Sequence, residues 1–116
     1  MIVRAEVTGP SGNALLRFAL DTGATGTIVN AGPLVAIGYD PALTPNRVQV
    51  TTGSGVEFAA RVKVSKLVAL GQERTDFLLL CHTLPPSTGV DGLLGLDFFR
   101  DQKLTLDFRN GEMELS

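Results

Sequence analysis

The sequence predicts an all-β protein. Thirteen glycines and six prolines cut the chain into short segments, and those segments are rich in Val, Leu, Phe and Thr, residue types that suit a pleated, half-buried surface. Apolar residues also alternate with polar ones at period 2 across residues 47–64 and again across 104–108. At 116 residues and 44% hydrophobic content the chain can bury a core of its own, so 1–116 reads as a single domain.

The elements follow in order. Ile2 to Thr8 and Leu15 to Leu20 read as strands joined through the turn-forming run Gly9-Pro10-Ser11-Gly12-Asn13. Thr27-Ile28-Val29 continues as strand, and Leu34 to Ile37 suits one helical turn with Pro33 at its start. From Arg47 to Val64, Val48 and Val50 alternate before Gly53-Ser54-Gly55, and Val56, Phe58, Val62 and Val64 follow it, which predicts a glycine-tipped hairpin. Lys66 to Leu70 and Thr75 to Cys81 flank Gly71-Gln72 as a further hairpin, and Pro85 to Gly89 breaks the pattern. Gly92-Leu93-Leu94-Gly95 is a short apolar strand bounded by glycines. Leu96 to Gln102 has the length of about two helical turns and is the best helix in the chain. Leu104, Leu106 and Phe108 then alternate with polar residues, and Asn110-Gly111 turns the chain into Met113 to Ser116.

Composition excludes several classes of function. A net charge of -2, a pI near 5.2 and scattered basic residues leave no cationic face for nucleic acid. One cysteine, Cys81, forms no internal disulfide and requires no oxidising compartment. No apolar run reaches membrane-helix length, and the first residues lack the layout of a signal peptide, so the chain reads as a soluble protein, cytoplasmic or of another soluble compartment, or as a domain of a longer, anchored protein. No phosphate-binding or dinucleotide glycine pattern and no calcium-loop spacing is present, so neither cofactor nor metal is expected.

The chemistry is concentrated in Phe18-Ala19-Leu20-Asp21-Thr22-Gly23-Ala24-Thr25, an apolar strand running into an acid, a hydroxyl and a glycine. Two carboxylates sharing one proton activate water for attack on an amide: one accepts a proton while the other donates to the carbonyl oxygen. The Thr22 hydroxyl can tie neighbouring backbone together, and Gly23 lets backbone approach without a Cβ in the way. The tripeptide alone arises by chance in about 2% of chains this long, so it does not stand by itself. The apolar lead-in and Ala24 distinguish it from an exposed turn. Only one copy is present, so a dyad of this kind needs a second chain.

Three features in this order resemble the retropepsin-like aspartic proteases, the single-domain, homodimeric relatives of pepsin. Asp21-Thr22-Gly23-Ala24 is similar to their catalytic turn, Thr51 to Phe58 lies where they place a flap hairpin, and Gly92-Leu93-Leu94-Gly95 is similar to their apolar-apolar-Gly segment. Asp91 to Phe99 is closest in style to cellular and bacterial members. The resemblance implies a closed barrel of short strands with a flap hairpin and a short helix near 96–102. It implies Asp21 as the catalytic residue of a homodimer, supported by Thr22 and Gly23. A peptide or protein substrate would be held by Ala24, Thr25 and the flap residues Gly53, Ser54 and Gly55, with Leu93 shaping a pocket. The apolar-apolar-Gly strand would form a ψ-shaped loop with the catalytic turn, and Met113 to Ser116 or Met1 to Val7 would interleave across the dimer.

The chain departs from the viral pattern in one linked pair. Viral members commonly carry an acid after the Ala and an Arg after the apolar-apolar-Gly; here stand Thr25 and Leu96, so both partners are replaced together and no charge is stranded. The flap lacks Trp and Tyr, with Phe58 its nearest aromatic. Cys81 and His82 are neighbours on a strand and point to opposite faces, which argues against a thiol protease. Asp91, Asp97 and Asp101 suit helix capping or the surface, with Asp91 also a candidate near the cleft. The leading expectation is an aspartic endopeptidase. Its rivals are a non-catalytic dimerisation or peptide-binding domain of the same fold, and an unrelated small β-barrel binding module.

Overall fold

A computed structural model describes residues 1–44, 46–52 and 55–116, leaving Pro45, Gly53 and Ser54 outside the described residues. The strands are β1 (Ile2–Gly9), β2 (Gly12–Leu20), β3 (Ile28–Val29), β4 (Arg47–Thr52), β5 (Gly55–Ala69), β6 (Gln72–Cys81), β7 (Gly92–Leu94), β8 (Leu104–Asp107) and β9 (Glu112–Leu115). One helix, α1 (Ala31–Ala36), follows β3. The main sheet runs β1-β2-β7-β3-β6-β5-β4, and β1 also pairs with β5, which closes the first six of these into a mixed barrel and leaves β4 as a flange on β5. β8 and β9 form a separate two-stranded sheet.

Alternation sets the inside of the barrel. Val3, Ala5 and Val7 of β1 are buried while Arg4 and Glu6 face out, and Leu16 and Phe18 of β2 repeat the pattern. In β5 Ala59 is buried, Ala60, Val62 and Val64 follow as one buried face, and then Leu67 and Ala69 are buried, so the strand changes face between 64 and 67. The switch has a local cause. The Ser65 N–H donates to the Tyr39 hydroxyl at 2.8 Å, and opposite it Asp76 takes a positive φ of 48°, a conformation that Asp tolerates better than most residues. The Tyr39 hydroxyl in turn donates to the Thr8 carbonyl at 3.0 Å, tying the segment after α1 to the barrel wall. Such a corner lets one long strand serve both the flange and the barrel.

Two helix expectations are corrected. α1 begins at Ala31 with Asn30 as its extended N-cap, so Pro33 is the third helical residue; the first turn has no use for that missing N–H. The segment after Gly95 is not two α-helical turns but a single 3-10 turn, Leu96–Phe99. In an α-helix the Phe98 carbonyl would accept from the Gln102 N–H; here it accepts from the Arg74 guanidinium at 3.0 and 3.3 Å, and Gln102 donates to Phe99 at 3.0 Å. The Arg74 guanidinium also lies 4.7 Å from the centre of the Phe98 ring. Arg100 is then extended, and Asp101 has φ 63°.

The chain ends are placed unequally. Ala5 to Thr8 of β1 pair on both edges, with β2 and with β5, whereas Ile2 to Arg4 pair with β2 alone among the described residues. Among the described residues β8 and β9 pair only with each other, and Lys103 and Ser116 extend that ladder by two backbone bonds of 2.8 and 2.9 Å. Leu104, Met113 and Leu115 pack against the core, which anchors this hairpin while leaving its outer edges open. Among the described residues no helix is long and apolar enough to cross a membrane.

Candidate active site

Asp21 stands where β2 ends. The chain leaves β2 at Leu20, turns through 21–27 and returns as β3, and β7 is inserted between the two. Phe18, Ala19 and Leu20 run parallel to Gly92, Leu93 and Leu94, while Ile28 and Val29 run antiparallel to Leu93 and Gly92. This is the ψ-shaped arrangement that the apolar-apolar-Gly segment implied.

Glycine is required on both sides of that insertion. A Cβ on Gly92 would lie 2.4 Å from the Ile28 carbonyl oxygen and 2.6 Å from the Phe18 ring; one on Gly95 would lie 2.6 Å from the Gly26 carbonyl oxygen. No L-residue with a side chain fits either place without moving backbone.

The turn is held from several directions. The Asp21 N–H donates to Leu94 at 3.0 Å, Ala24 N–H to Asp21 at 3.2 Å, and Leu96 N–H to Ala24 at 2.9 Å. Asp21 is half-buried, and its Oδ1 accepts from the Gly23 N–H at 2.9 Å. Its Oδ2 has no hydrogen-bond partner among the described residues. A side chain at Gly23 would press on the carboxylate, since its Cβ would stand 3.2 Å from Oδ1. Thr22 is exposed, and its hydroxyl makes no hydrogen bond among the described residues.

The sequence reading missed the residues that lock the exit of the turn. Thr27 is fully buried; its hydroxyl donates to Asp97 Oδ1 at 2.7 Å and accepts from the Gly95 N–H at 3.2 Å, while its own N–H donates to Asp97 Oδ2 at 3.1 Å. Asp97 therefore neither caps a helix by its side chain nor stands free on the surface: it joins the turn to the segment after β7. A polar residue at the start of an apolar strand was the available signal, but its partner lies 70 residues away.

The other acids are placed away from the turn. Asp91 Oδ2 accepts from the Arg17 N–H at 2.9 Å, four residues back along β2 from Asp21, so the candidate position near the cleft is corrected to a staple between strands. Asp101 is exposed. Cys81 is buried in the core, and burial pushes its thiol pKa up against the opposing effect of the Arg47 charge. Among the described residues no three His, Cys, Asp or Glu side chains converge into a metal site.

Beside the turn lies an open cleft of about 390 Å³, lined by Gly23, Ala24, Thr25, Gly26 and Ile28 on one side and by Val48, Gln49 and Leu80 on the other. The flange strand β4 thus faces the backbone that follows Asp21. Ala24 and Thr25 line this cleft, whereas Leu93 is half-buried and is not part of its wall. Of the expected flap-tip residues, Gly53 and Ser54 lie outside the described residues, and Gly55 opens β5 with φ 131°. A larger hollow of about 540 Å³ beside β6, lined by Arg74, Asp76, Phe77, Leu78, Asp97 and Arg100, has no contact with Asp21.

Comparison with known proteins agrees with this geometry. The family described as "gag-polyprotein putative aspartyl protease" matches residues 7–101. A retropepsin-like aspartic protease from Rickettsia conorii superposes with a TM-score of 0.68 at 19% identity, covering 98% of this chain and 79% of that one. The retroviral protease-like domain of Ddi1 from Leishmania major superposes with a TM-score of 0.66 at 16% identity, covering 100% of this chain and 87% of that one. A search of curated proteins finds no match. The family match spans most of the chain and the solved structures share its fold, so the protein belongs to the retropepsin-like aspartic proteases.

Proposed function

We propose that the protein is an aspartic endopeptidase whose site is completed by a second copy of the chain, with Asp21 of each copy supplying one carboxylate. The observation that carries this is the state of Asp21: its Oδ1 is fixed by the Gly23 N–H, its Oδ2 is unpartnered among the described residues, and the exposed Thr22 follows it. A twofold axis through this point would bring two such carboxylates face to face.

In this mechanism the pair shares a single proton, because two negative charges in close contact cannot both persist. One carboxylate takes a proton from water as it attacks the peptide carbonyl, and the protonated partner donates to the carbonyl oxygen. The tetrahedral intermediate collapses with cleavage of its C–N bond as the amide nitrogen receives a proton from one carboxylate and a hydroxyl of the intermediate returns a proton to the other, which restores the singly protonated pair. Ala24, Thr25 and the β4–β5 hairpin would hold an extended peptide by its backbone, as an added strand. Thr22 and Gly23 would support the carboxylate, and the open edges of β8 and β9 would pair with the second copy.

The test is cleavage of a peptide library at several pH values by the wild type and by Asp21→Asn. Expected is cleavage by the wild type, favoured below neutrality, and loss of at least a thousandfold in the variant, which keeps its sedimentation behaviour. Equal cleavage by both proteins contradicts the proposal. A folded dimer that binds peptides and cuts none points to the non-catalytic peptide-binding reading.

A further inference from the structure

The cleft beside Asp21 does not end at Gly26. A second hollow of about 260 Å³ shares Thr25, Gly26 and Leu80 with it and continues past Arg61, Leu78 and Asp97. A peptide lying along Ala24 and Thr25 in extended form would therefore run its outlying residues into this continuation.

Arg61 sets the chemistry there. It sits on β5 opposite Leu80, facing outward between the buried Ala60 and Val62. Its backbone N–H donates to the Asn46 carbonyl at 2.8 Å, but the guanidinium of this half-buried residue has no hydrogen bond or ion pair among the described residues. An Arg with all of its side-chain donors unused, on the wall of a groove, is prepared to take a planar anion through two parallel bonds. Two residues on, Lys63 stands on the same outward face, opposite Leu78, and adds a second positive charge.

The opposing charge is Asp97, and it is already engaged. Both of its carboxylate oxygens accept from Thr27, at 2.7 and 3.1 Å, so it is fixed in the wall and turned toward the catalytic turn. The wall of the groove therefore carries one cation with no side-chain partner among the described residues, Arg61, against one committed acid, and Lys63 stands outside the wall on the same face, so the groove favours an added negative charge.

Resting on the proposed peptidase reading, we infer that Arg61 is a specificity-determining residue that selects substrates with an acidic side chain at an outlying position, beyond the residue held at Thr25. The glutamate or aspartate carboxylate would lie between Leu80 and Leu78 and accept from the guanidinium.

The experiment uses a positional-scanning peptide library carrying Glu, Gln or Lys at each site in turn. Retention on immobilised Asp21→Asn protein is read by mass spectrometry, and cleavage by the catalytic form is read in parallel. Ratios are taken within each protein, so partial misfolding of a variant cancels. Expected is Glu preferred over Gln on the order of fivefold at one outlying position, the scale of a charge-assisted bond at a partly exposed site. Arg61→Gln removes that preference and Arg61→Glu inverts it toward Lys. Ratios unchanged in both variants, or Lys preferred by the wild type, overturn the inference while leaving the peptidase reading intact. Failure of every peptide to be retained or cut overturns both.

Discussion

The turn at 21–27 and the hairpin of β4 and β5 face each other across one cleft and are built by opposite rules. The turn is fixed by bonds to Leu94, Leu96 and Asp97, by a fully buried threonine, and by glycines placed where any Cβ would collide with neighbouring backbone. Among the described residues β4 pairs only with β5, and Phe58 beside it is 68% exposed. Chemistry that needs a carboxylate held within a fraction of an ångström belongs on the first kind of element. Recognition of an extended chain, which must enter and leave, belongs on the second.

Substitutions can separate the two. The largest effect is expected at Gly95→Ala, where the new Cβ meets the Gly26 carbonyl and neither backbone can yield; a loss of about 3 kcal/mol or more by denaturant unfolding is predicted, with peptidase activity lost in parallel. Ready accommodation there would mean that the turn is less rigid than its contacts imply. Next is Thr27→Val, which keeps the shape but strands the Gly95 N–H and removes one bond to Asp97; about 1–3 kcal/mol should be lost. Gly55→Ala should act in the opposite sense. Its φ of 131° strains any side chain, yet nothing lies within 4 Å of the new Cβ, so unfolding should shift by only about 1 kcal/mol while peptide turnover falls several-fold. Equal effects of Gly55→Ala and Thr27→Val on stability would erase the contrast between the regions.

Much of the rigid region was legible in the sequence. Gly92-Leu93-Leu94-Gly95 can be read as an apolar strand between two close approaches, and Asp21-Thr22-Gly23 as a turn with a carboxylate at its head. What could not be read depends on distant partners. Thr27 and Asp97 are individually ordinary residues whose meaning comes from a 2.7 Å bond across the fold. The 96–102 segment has helical composition, but a guanidinium from β6 takes the carbonyl that the second turn would need. The change of face in β5 shows in its alternation, where the apolar positions step from Val62 and Val64 to Leu67 and Ala69, but its cause, the Tyr39 hydroxyl set against the Ser65 N–H, does not. Asp91 sits near a candidate strand in sequence, and only strand register shows it stapled to Arg17.

The central claim is that the site is shared between two chains, and subunit mixing tests it most directly. Wild type and Asp21→Asn are combined in equal amounts, allowed to exchange, and assayed against the same total concentration of wild type. If both carboxylates are needed, only dimers with two intact copies are active and the rate falls to about one quarter. If each chain carries its own complete site, the rate falls only to about one half, and that result would contradict the account.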